Sequence, residues 1–252
     1  MDILKRKNGE NIKHSINSTK ANRMLVRFNN KIIRQLKSFH ENIAKMFFRG
    51  SKLYWEQRYI HGGNSGAGSY GELAEFKAKI INNFIKLNRI QSAIEWGCGD
   101  GNQLSLINYP FYVGVDVSRK AIKLCEQKFR TDSTKKFYIY DDAIRLKVKQ
   151  KYYLSLSLDV IFHLIEDNIF NDYMNNLFLS SKKFVVIYSS NSDELVDSAP
   201  HVKHRKFTNW IRDNQGKDWF LLKIIKNKYP MDRDNPLETS FSDFYIYQKN
   251  NS

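Results

Sequence analysis

An acidic residue followed by alternating glycines is the feature of this sequence with the clearest chemical meaning. Glu95 lies at the end of a short apolar run, and Gly97, Gly99 and Gly101 follow it at every second position. Glycine lets a backbone turn tightly and approach a ligand without a Cβ atom in the way. Ligands of open α/β sheets bind outside the carboxyl ends of the strands. We therefore expect a strand that ends in a ligand-binding loop, where Glu95 accepts hydrogen bonds from an amino-bearing or cationic ligand.

The glycine spacing distinguishes between nucleotide-binding loops. Dinucleotide-binding folds carry G-x-G-x-x-G, and phosphate-binding loops carry Gly-Lys-Ser/Thr after their glycines. Asn102 and Gln103 follow Gly101 here, and they do not match the phosphate-loop pattern. A tight strand-to-helix turn that binds no ligand is the alternative interpretation of this loop taken alone.

Acids also follow three further apolar runs. Asp116 lies 21 residues after Glu95, Asp141 and Asp142 follow the third run, and Asp159 follows the fourth. A carboxylate at the end of the second strand suits a ribose diol, because it can accept from both hydroxyls. A solvated turn acid is the alternative for each residue considered singly.

Predicted strands alternate with predicted helices, which indicates an α/β fold. Amphipathic helices are expected over 72–87 and, with Ser118 as N-cap, to about Phe129. Strands are expected close to residues 92–96, 111–116, 136–140, 153–158, 183–188, 219–225 and 241–247.

Together these features resemble the class I S-adenosylmethionine-dependent methyltransferases. The pattern E-x-G-x-G-x-G over 95–101 resembles their first motif, and residues 153–164 resemble their fourth motif, at the methyl-transfer face. The resemblance covers about residues 54–248. It implies a doubly wound, mostly parallel seven-stranded sheet with a reversed final strand, the Rossmann-like methyltransferase fold. It also implies S-adenosylmethionine as cofactor and S-adenosylhomocysteine as product. An acid after the third strand would face the adenine amino group, and Asp142 matches that position of the family better than Asp141 does.

Residues 54–71 match the entry segment that many of these enzymes fold over the bound cofactor. Trp55, Arg58 and Tyr59 are expected to cover its methionine end, with Arg58 pairing with the carboxylate. A flexible linker is the alternative, but a linker has no need of large aromatic side chains.

Methyl transfer to oxygen requires removal of a proton, so a general base is expected near the end of the fourth strand. Asp159 and His163 are the candidates, because a helical turn would bring residues four apart together. A packed core histidine is the alternative for His163. His201, His204 and Arg205 are candidates for binding the acceptor, with a solvated basic loop as the alternative. No metal site is expected.

Positive charge is concentrated at the start of the chain. The 252 residues carry a net charge of +15, and residues 1–53 contribute 13 Lys and Arg against 3 Asp and Glu. We predict a basic arm and amphipathic helix over 1–53 and a methyltransferase domain over 54–252. Apolar residues recur every three or four positions over 21–49. This helix face is expected to pack on the domain or a second subunit, with peripheral contact to an anionic membrane as the alternative.

Composition places the protein in a reducing compartment. There are two cysteines, no secretory signal and no run of 18 apolar residues, so we expect a cytoplasmic protein, with the inner face of the membrane as the alternative location. The motifs of base-amino and pyrimidine-carbon methyltransferases are missing, which makes a nucleic-acid acceptor less favoured. The pattern is similar to that of stand-alone bacterial methyltransferases associated with surface-polysaccharide biosynthesis. The expected function is O-methylation of a sugar, glycan or small molecule. An RNA methyltransferase that grips RNA with its basic N-terminal region, and a non-catalytic cofactor- or partner-binding module, are the alternatives.

Overall fold

Helices and strands alternate along the chain, as the sequence pattern predicts. The computed structural model describes residues 48–141, 151–194, 199–232 and 234–250. The helices are α1 (Ser51–Ile60), α2 (Gly71–Asn88), α3 (Arg119–Lys128), α4 (Asp167–Leu179) and α5 (Phe207–Gln215). The strands are β1 (Ala93–Trp96), β2 (Tyr112–Asp116), β3 (Lys135–Ile139), β4 (Tyr152–Leu158), β5 (Ser181–Ser189), β6 (Trp219–Ile225) and β7 (Asp243–Lys249).

The strands form one seven-stranded sheet in the order β3-β2-β1-β4-β5-β7-β6. The strands from β1 to β5 pair in parallel, whereas β7 runs antiparallel to both β5 and β6. This arrangement confirms the predicted mostly parallel sheet with a reversed final strand. The strand order reverses between β1 and β4, so their carboxyl ends flank the crevice in which such sheets bind ligands.

Both faces of the strands β1, β2, β4 and β5 are covered, as in a doubly wound fold, whereas the edge strand β6 is largely exposed. Helices α2 and α3 pack on one face, with Ile81 and Cys125 in that part of the core. Helices α4 and α5 pack on the other face, with Leu177 and Phe207 in a second core cluster. The site at the strand ends is therefore held by strands that are buried on both sides.

The predicted element boundaries shift by only a few residues. Ser118 caps α3 as expected, because its Oγ accepts from the Ala121 amide at 3.1 Å. The last strand begins at Asp243, two residues later than predicted, where Asp243 pairs with Ser189. The preceding Ser242 donates its hydroxyl to Asp159 instead, at 2.9 Å.

Several predictions concern residues that the structure does not describe. The amphipathic helix over 21–49 lies almost entirely outside the described residues, and so does Asp142. Helix α1 begins at Ser51, so the predicted domain boundary at 53/54 falls inside a helix. Within the described ranges, no helix has the length and apolar character needed to cross a membrane.

Leu177 tests the packing of α4 on the sheet. Its side chain is fully buried, whereas Leu179 in the same helix is 64% exposed. We expect Leu177→Ala to lower the free energy of unfolding by about 2–5 kcal/mol, because it leaves a cavity in the core. Leu179→Ala should change the free energy by about 0.5 kcal/mol or less. Equilibrium denaturation of both variants measures the difference, and equal losses would contradict this packing.

Candidate functional site

The glycine loop after β1 passes close to the other strand ends. The Gly97 amide donates to the Val115 carbonyl at 2.7 Å, and Gly97 has a φ of 85°. A Cβ atom at Gly97 would collide with the Val160 side chain. At Gly99, where φ is 58°, a Cβ atom would collide with Ser65. Only glycine fits these two positions without displacing a neighbour.

Two of the predicted acids are buried directly beside this loop. Glu95 is 3% exposed and accepts a hydrogen bond from the Tyr112 hydroxyl at 2.7 Å. Asp116 is 8% exposed and accepts from the amides of Gly99 at 3.0 Å and Ser118 at 2.9 Å. Burial raises the pKa of Glu95 to about 7 and that of Asp116 to about 6. Both carboxyl groups will therefore favour a ligand that brings positive charge or hydrogen-bond donors.

The third acid, Asp159, is held in a buried ion pair. It follows β4 with a φ of 58°, a strained conformation for a residue other than glycine. Its Oδ2 pairs with the Lys77 ammonium at 2.6 Å, and Lys77 is only 1% exposed. The same ammonium lies 5.2 Å from the centre of the Tyr188 ring. The sequence did not identify Lys77, because its position in an amphipathic helix resembles that of a surface lysine.

These residues border a single cavity of about 280 Å³ at the carboxyl ends of β1, β2 and β4. Seven of its lining side chains are acidic or basic, and the acids outnumber the cations. The acids are Glu95, Asp116, Asp141, Asp159 and Asp172, and the cations are Lys52 and Lys77. The charge of this cavity favours a cationic ligand and opposes a phosphate.

Gln103 contributes a hydrogen-bond acceptor that the sequence did not identify. It is 5% exposed and borders the cavity. Its Nε2 donates to the Ala74 carbonyl at 3.0 Å, which fixes the orientation of the amide. Its Oε1 is buried without a hydrogen-bond partner among the described residues. Because buried polar atoms are usually paired, this oxygen suits a donor on a ligand.

Helix α1 forms the roof of the cavity. Four of its residues border the cavity: Ser51, Lys52, Trp55 and Tyr59. Trp55 and Tyr59 are two of the residues predicted to cover the cofactor. Burial raises the pKa of Tyr59 above its ordinary value, so this phenol stays neutral. The Tyr59 hydroxyl lies 2.9 Å from Ser65 Oγ, which links the helix to the following loop.

Arg58, expected to bind a carboxylate, does not border this cavity. Its Nε donates to the Asn64 carbonyl at 2.7 Å, and its guanidinium lies 5.5 Å from the centre of the Trp55 ring. Arg58 is positioned to shape the loop that follows α1. Lys77 is the cation placed beside the glycine loop and Asp159.

Asp100 fastens the loop over residues 61–70 onto the glycine loop. Its Oδ2 accepts from the Ser65 amide at 3.0 Å and the Tyr70 hydroxyl at 2.8 Å. In return, the Asp100 amide donates to Ser65 Oγ at 3.0 Å. Hydrogen bonds from Asn102, Tyr70 and Ser65 hold the pKa of Asp100 below its usual value despite partial burial. Asp100 therefore stays ionised and acts as a latch.

Asp159 and His163 border the same cavity but bond to other groups rather than to each other. The left-handed conformation of Asp159 and a short 3₁₀ turn over Ile161–His163 replace the expected helical turn. His163 Nδ1 lies 2.9 Å from the His201 carbonyl. Since a carbonyl only accepts, Nδ1 carries the proton and Nε2 has a free lone pair. Burial lowers the pKa of His163 to about 3, so the ring is neutral at physiological pH.

None of the predicted acceptor-binding residues borders the cavity. His201 stacks on Tyr54, with ring centres 4.3 Å apart, and His204 Nδ1 lies 2.7 Å from Ser190 Oγ. Arg205 donates to the Leu164 carbonyl at 2.6 Å and pairs with Asp167 at 2.7 Å. His201 and Arg205 each contact a residue that borders the cavity, because the His201 ring stacks on His163 and Arg205 bonds to the Leu164 carbonyl.

The remaining candidates differ in position. Asp141 borders the cavity and pairs with Lys52 at 2.6 Å, which joins the end of β3 to the roof. Gly101 does not border the cavity, and a Cβ atom there would come within 3.0 Å of both Phe129 and Cys125. In the part of the chain that the structure describes, no three His, Cys, Asp or Glu side chains are arranged to hold a metal ion.

Comparison with known proteins gives structural matches only. No family model matches the chain, and no curated protein is significantly similar in sequence. The methyltransferase domain of bacterial CtHen1 is 17% identical, with a TM-score of 0.55, over 69% of this chain and 97% of that one. N-methyltransferase NodS from Bradyrhizobium japonicum WM9, in complex with S-adenosylhomocysteine, is 13% identical, with a TM-score of 0.54, over 71% of this chain and 86% of that one.

A third match covers more of the chain. Magnesium protoporphyrin IX methyltransferase (ChlM) from Synechocystis PCC 6803, with bound S-adenosylhomocysteine, is 14% identical over 83% of this chain and 99% of that one, with a TM-score of 0.54. At identities of 17% or less, these structural matches show the fold of this chain only. Its chemistry has to be inferred from the residues of the site. The fold is the Rossmann-like methyltransferase fold.

Removing the Asp100 carboxylate tests the latch. We expect Asp100→Ala to increase amide hydrogen exchange over residues 61–70 by roughly tenfold, since it removes two or more charge-assisted hydrogen bonds. Asp132→Ala, at an exposed turn after α3, is the matched control. Hydrogen exchange followed by mass spectrometry makes the comparison, and unchanged exchange over 61–70 would contradict the latch.

Proposed function

We propose that this protein is an S-adenosylmethionine-dependent methyltransferase. The observation that carries the proposal is the joint position of Glu95, Asp116 and Asp159 around one cavity beside a glycine loop. The fold supports it, because structures of this fold hold S-adenosylhomocysteine, as in NodS and ChlM. When bound, the cofactor supplies a methyl group made electrophilic by a sulfonium. The residues of the chain bind the cofactor, aim it and exclude water.

The cavity fits the amino-acid end of this cofactor. Lys77 offers a buried ammonium for its carboxylate, in the role that the sequence assigned to Arg58. The unpaired Oε1 of Gln103 and the carboxylate of Glu95 are acceptors for its ammonium. Trp55 and Tyr59 cover this end from the roof.

The cavity also fits a nucleoside. Asp116 has lone pairs left for ribose hydroxyls after its two backbone hydrogen bonds. Asp141 borders the cavity at the end of β3, where an adenine amino group would find an acceptor, and Asp142 is proposed to share that role. The excess of carboxylates disfavours dinucleotides and nucleoside triphosphates, whose phosphates would be repelled.

His163 supports methylation of a hydroxyl oxygen. Its Nε2 can accept the hydrogen bond of an acceptor hydroxyl and take the proton as the oxygen becomes alkylated. Because the hydrogen bond to the His201 carbonyl occupies only Nδ1, Nε2 is available to a hydroxyl donor. We therefore favour a hydroxyl acceptor. Asp159 accepts hydrogen bonds from Lys77 and Ser242, and these bonds fix the turn after β4 that leads to His163.

The acceptor we propose is a sugar, glycan or other small molecule that carries such a hydroxyl. Trp55 and His163 contact edge to face with ring centres 4.8 Å apart, and a sugar or aromatic ring could stack there. His201 supports this wall from behind. A role in surface-polysaccharide biosynthesis in the cytoplasm is the biological setting we propose on the basis of the sequence.

Turnover provides the direct test. The protein is incubated with methyl-labelled S-adenosylmethionine and fractionated small molecules and glycans from the producing organism, and labelled products are identified by mass spectrometry. Calorimetry with S-adenosylhomocysteine measures cofactor binding separately. Failure to bind either S-adenosylmethionine or S-adenosylhomocysteine would overturn the proposal.

Cofactor affinity should depend on pH through the two buried acids. Below about pH 6, Glu95 and Asp116 are largely protonated, because burial raises the pKa of Glu95 to about 7 and that of Asp116 to about 6. A ligand with an ammonium and a diol favours their ionised forms. We expect the Kd for S-adenosylmethionine to fall roughly tenfold between pH 5.5 and 8, with protons released on binding. Calorimetry in buffers of different ionisation enthalpy measures both, and a Kd that rises over this range would contradict the assignment.

His163→Phe separates chemistry from binding. Phenylalanine keeps an aromatic ring beside Trp55 and His201 but removes both ring nitrogens, and with Nδ1 the hydrogen bond to the His201 carbonyl. We expect kcat to fall by about 10²–10⁴, while the Kd for S-adenosylhomocysteine changes by less than about threefold. In the wild type, kcat should show no step near pH 6.5 from this histidine, since its pKa is about 3. An unchanged kcat in the variant would leave His163 with a packing role only.

A further inference from the structure

A second carboxylate lies beside the end of β2, on the roof helix α1. Glu56 borders an adjoining cavity of about 450 Å³, which also contacts Val117 and Arg119, the residues that follow Asp116. The two cavities share the lining residues Lys52, Val117 and Ile169, so they adjoin at the β2 end. Glu56 thus faces the turn that presents Asp116.

One oxygen of Glu56 has nothing to bond. Its Oε2 is shielded from solvent and has no hydrogen-bond partner among the described residues. Arg49, Lys52 and Arg119 border the same cavity, but no described ion pair or hydrogen bond joins them to Glu56. Lys52 pairs with Asp141 instead. A buried carboxylate oxygen without a donor is unfavourable, so a ligand that donates a hydrogen bond there would be stabilised.

Asp116 shows why a donor between the two acids would be favourable. The negative charge of Glu56 adds to burial in raising the pKa of Asp116. Each oxygen of Asp116 already accepts one backbone amide, from Gly99 or Ser118. Two hydroxyls on neighbouring carbons can donate one hydrogen bond to each carboxylate, which relieves their repulsion without adding charge.

We propose that Glu56 is a second binding residue for the ribose diol of the cofactor. It accepts one hydroxyl while Asp116 accepts the other, so the ligand itself ties α1 to the sheet. This inference rests on the proposed function and adds a residue of the roof to it. Because α1 also carries Trp55 and Tyr59, the same bond draws the cover over the cofactor. Nucleoside binding and closure of the roof thereby become one event.

Calorimetry with S-adenosylhomocysteine and its 2′-deoxy and 3′-deoxy analogues tests the inference. Glu56→Ala should weaken binding of the parent ligand by roughly tenfold or more. Glu56→Gln keeps an acceptor oxygen and should retain most of the affinity. Glu126→Gln, at an exposed position of α3, removes the same charge elsewhere and should leave the Kd unchanged. Thermal unfolding of each variant confirms that it is folded.

The deoxy analogues identify the hydrogen bond itself. For one of them, Glu56→Ala should cause no further loss beyond that of the missing hydroxyl, since both changes remove the same bond. If Glu56→Ala binds the parent ligand as the wild type does, or weakens all three ligands by the same factor, this inference is overturned while the proposed function stands. If the wild type binds none of the three ligands, both are overturned.

Discussion

Burial of carboxylates at the ends of neighbouring strands is the constraint on which this site depends. Glu95 and Asp116 end strands that are covered on both faces, so water cannot solvate them freely. Their hydrogen bonds come from a phenol and from backbone amides, and Lys77 pairs with Asp159 instead. Buried acids without a bonded cation are costly and persist where function requires them. The same cost that destabilises the free protein becomes affinity for a cation that carries hydrogen-bond donors.

The parts of this arrangement that depend on local sequence could be predicted. Alternating glycines after an acid mark a strand-to-helix turn, and apolar runs of five to seven residues mark strands, because both patterns follow from backbone sterics and burial. The seven-stranded sheet confirms this reasoning, including the reversed last strand. Glu95, Asp116 and Asp159 lie together because parallel strands place their carboxyl ends at one edge.

What could not be predicted depends on tertiary packing. Lys77 lies in a helix whose pattern suits either a surface or a buried lysine, and only the docking of α2 decides between them. Gln103 has no sequence signal, since its role comes from one bond to the Ala74 carbonyl. The spacing of Asp159 and His163 indicated a helical turn, but the left-handed backbone at Asp159 turns the two side chains to different partners. Arg58 does not border the cavity for a similar reason, because its Nε donates to the Asn64 carbonyl instead.

Helix α1 contacts both the proposed cofactor-binding part and the proposed acceptor-binding part of the site. Ser51 at its start bonds to Glu166, which anchors it beside α4, and Tyr59 near its end reaches Ser65 on the latched loop. A helix bonded at both ends behaves as one rigid element, so the side chains proposed to meet the cofactor and the acceptor are positioned together. Trp55 contacts His163 directly. The wall on which an acceptor would rest is therefore complete only when the roof is closed, which favours an order in which cofactor binding precedes acceptor binding.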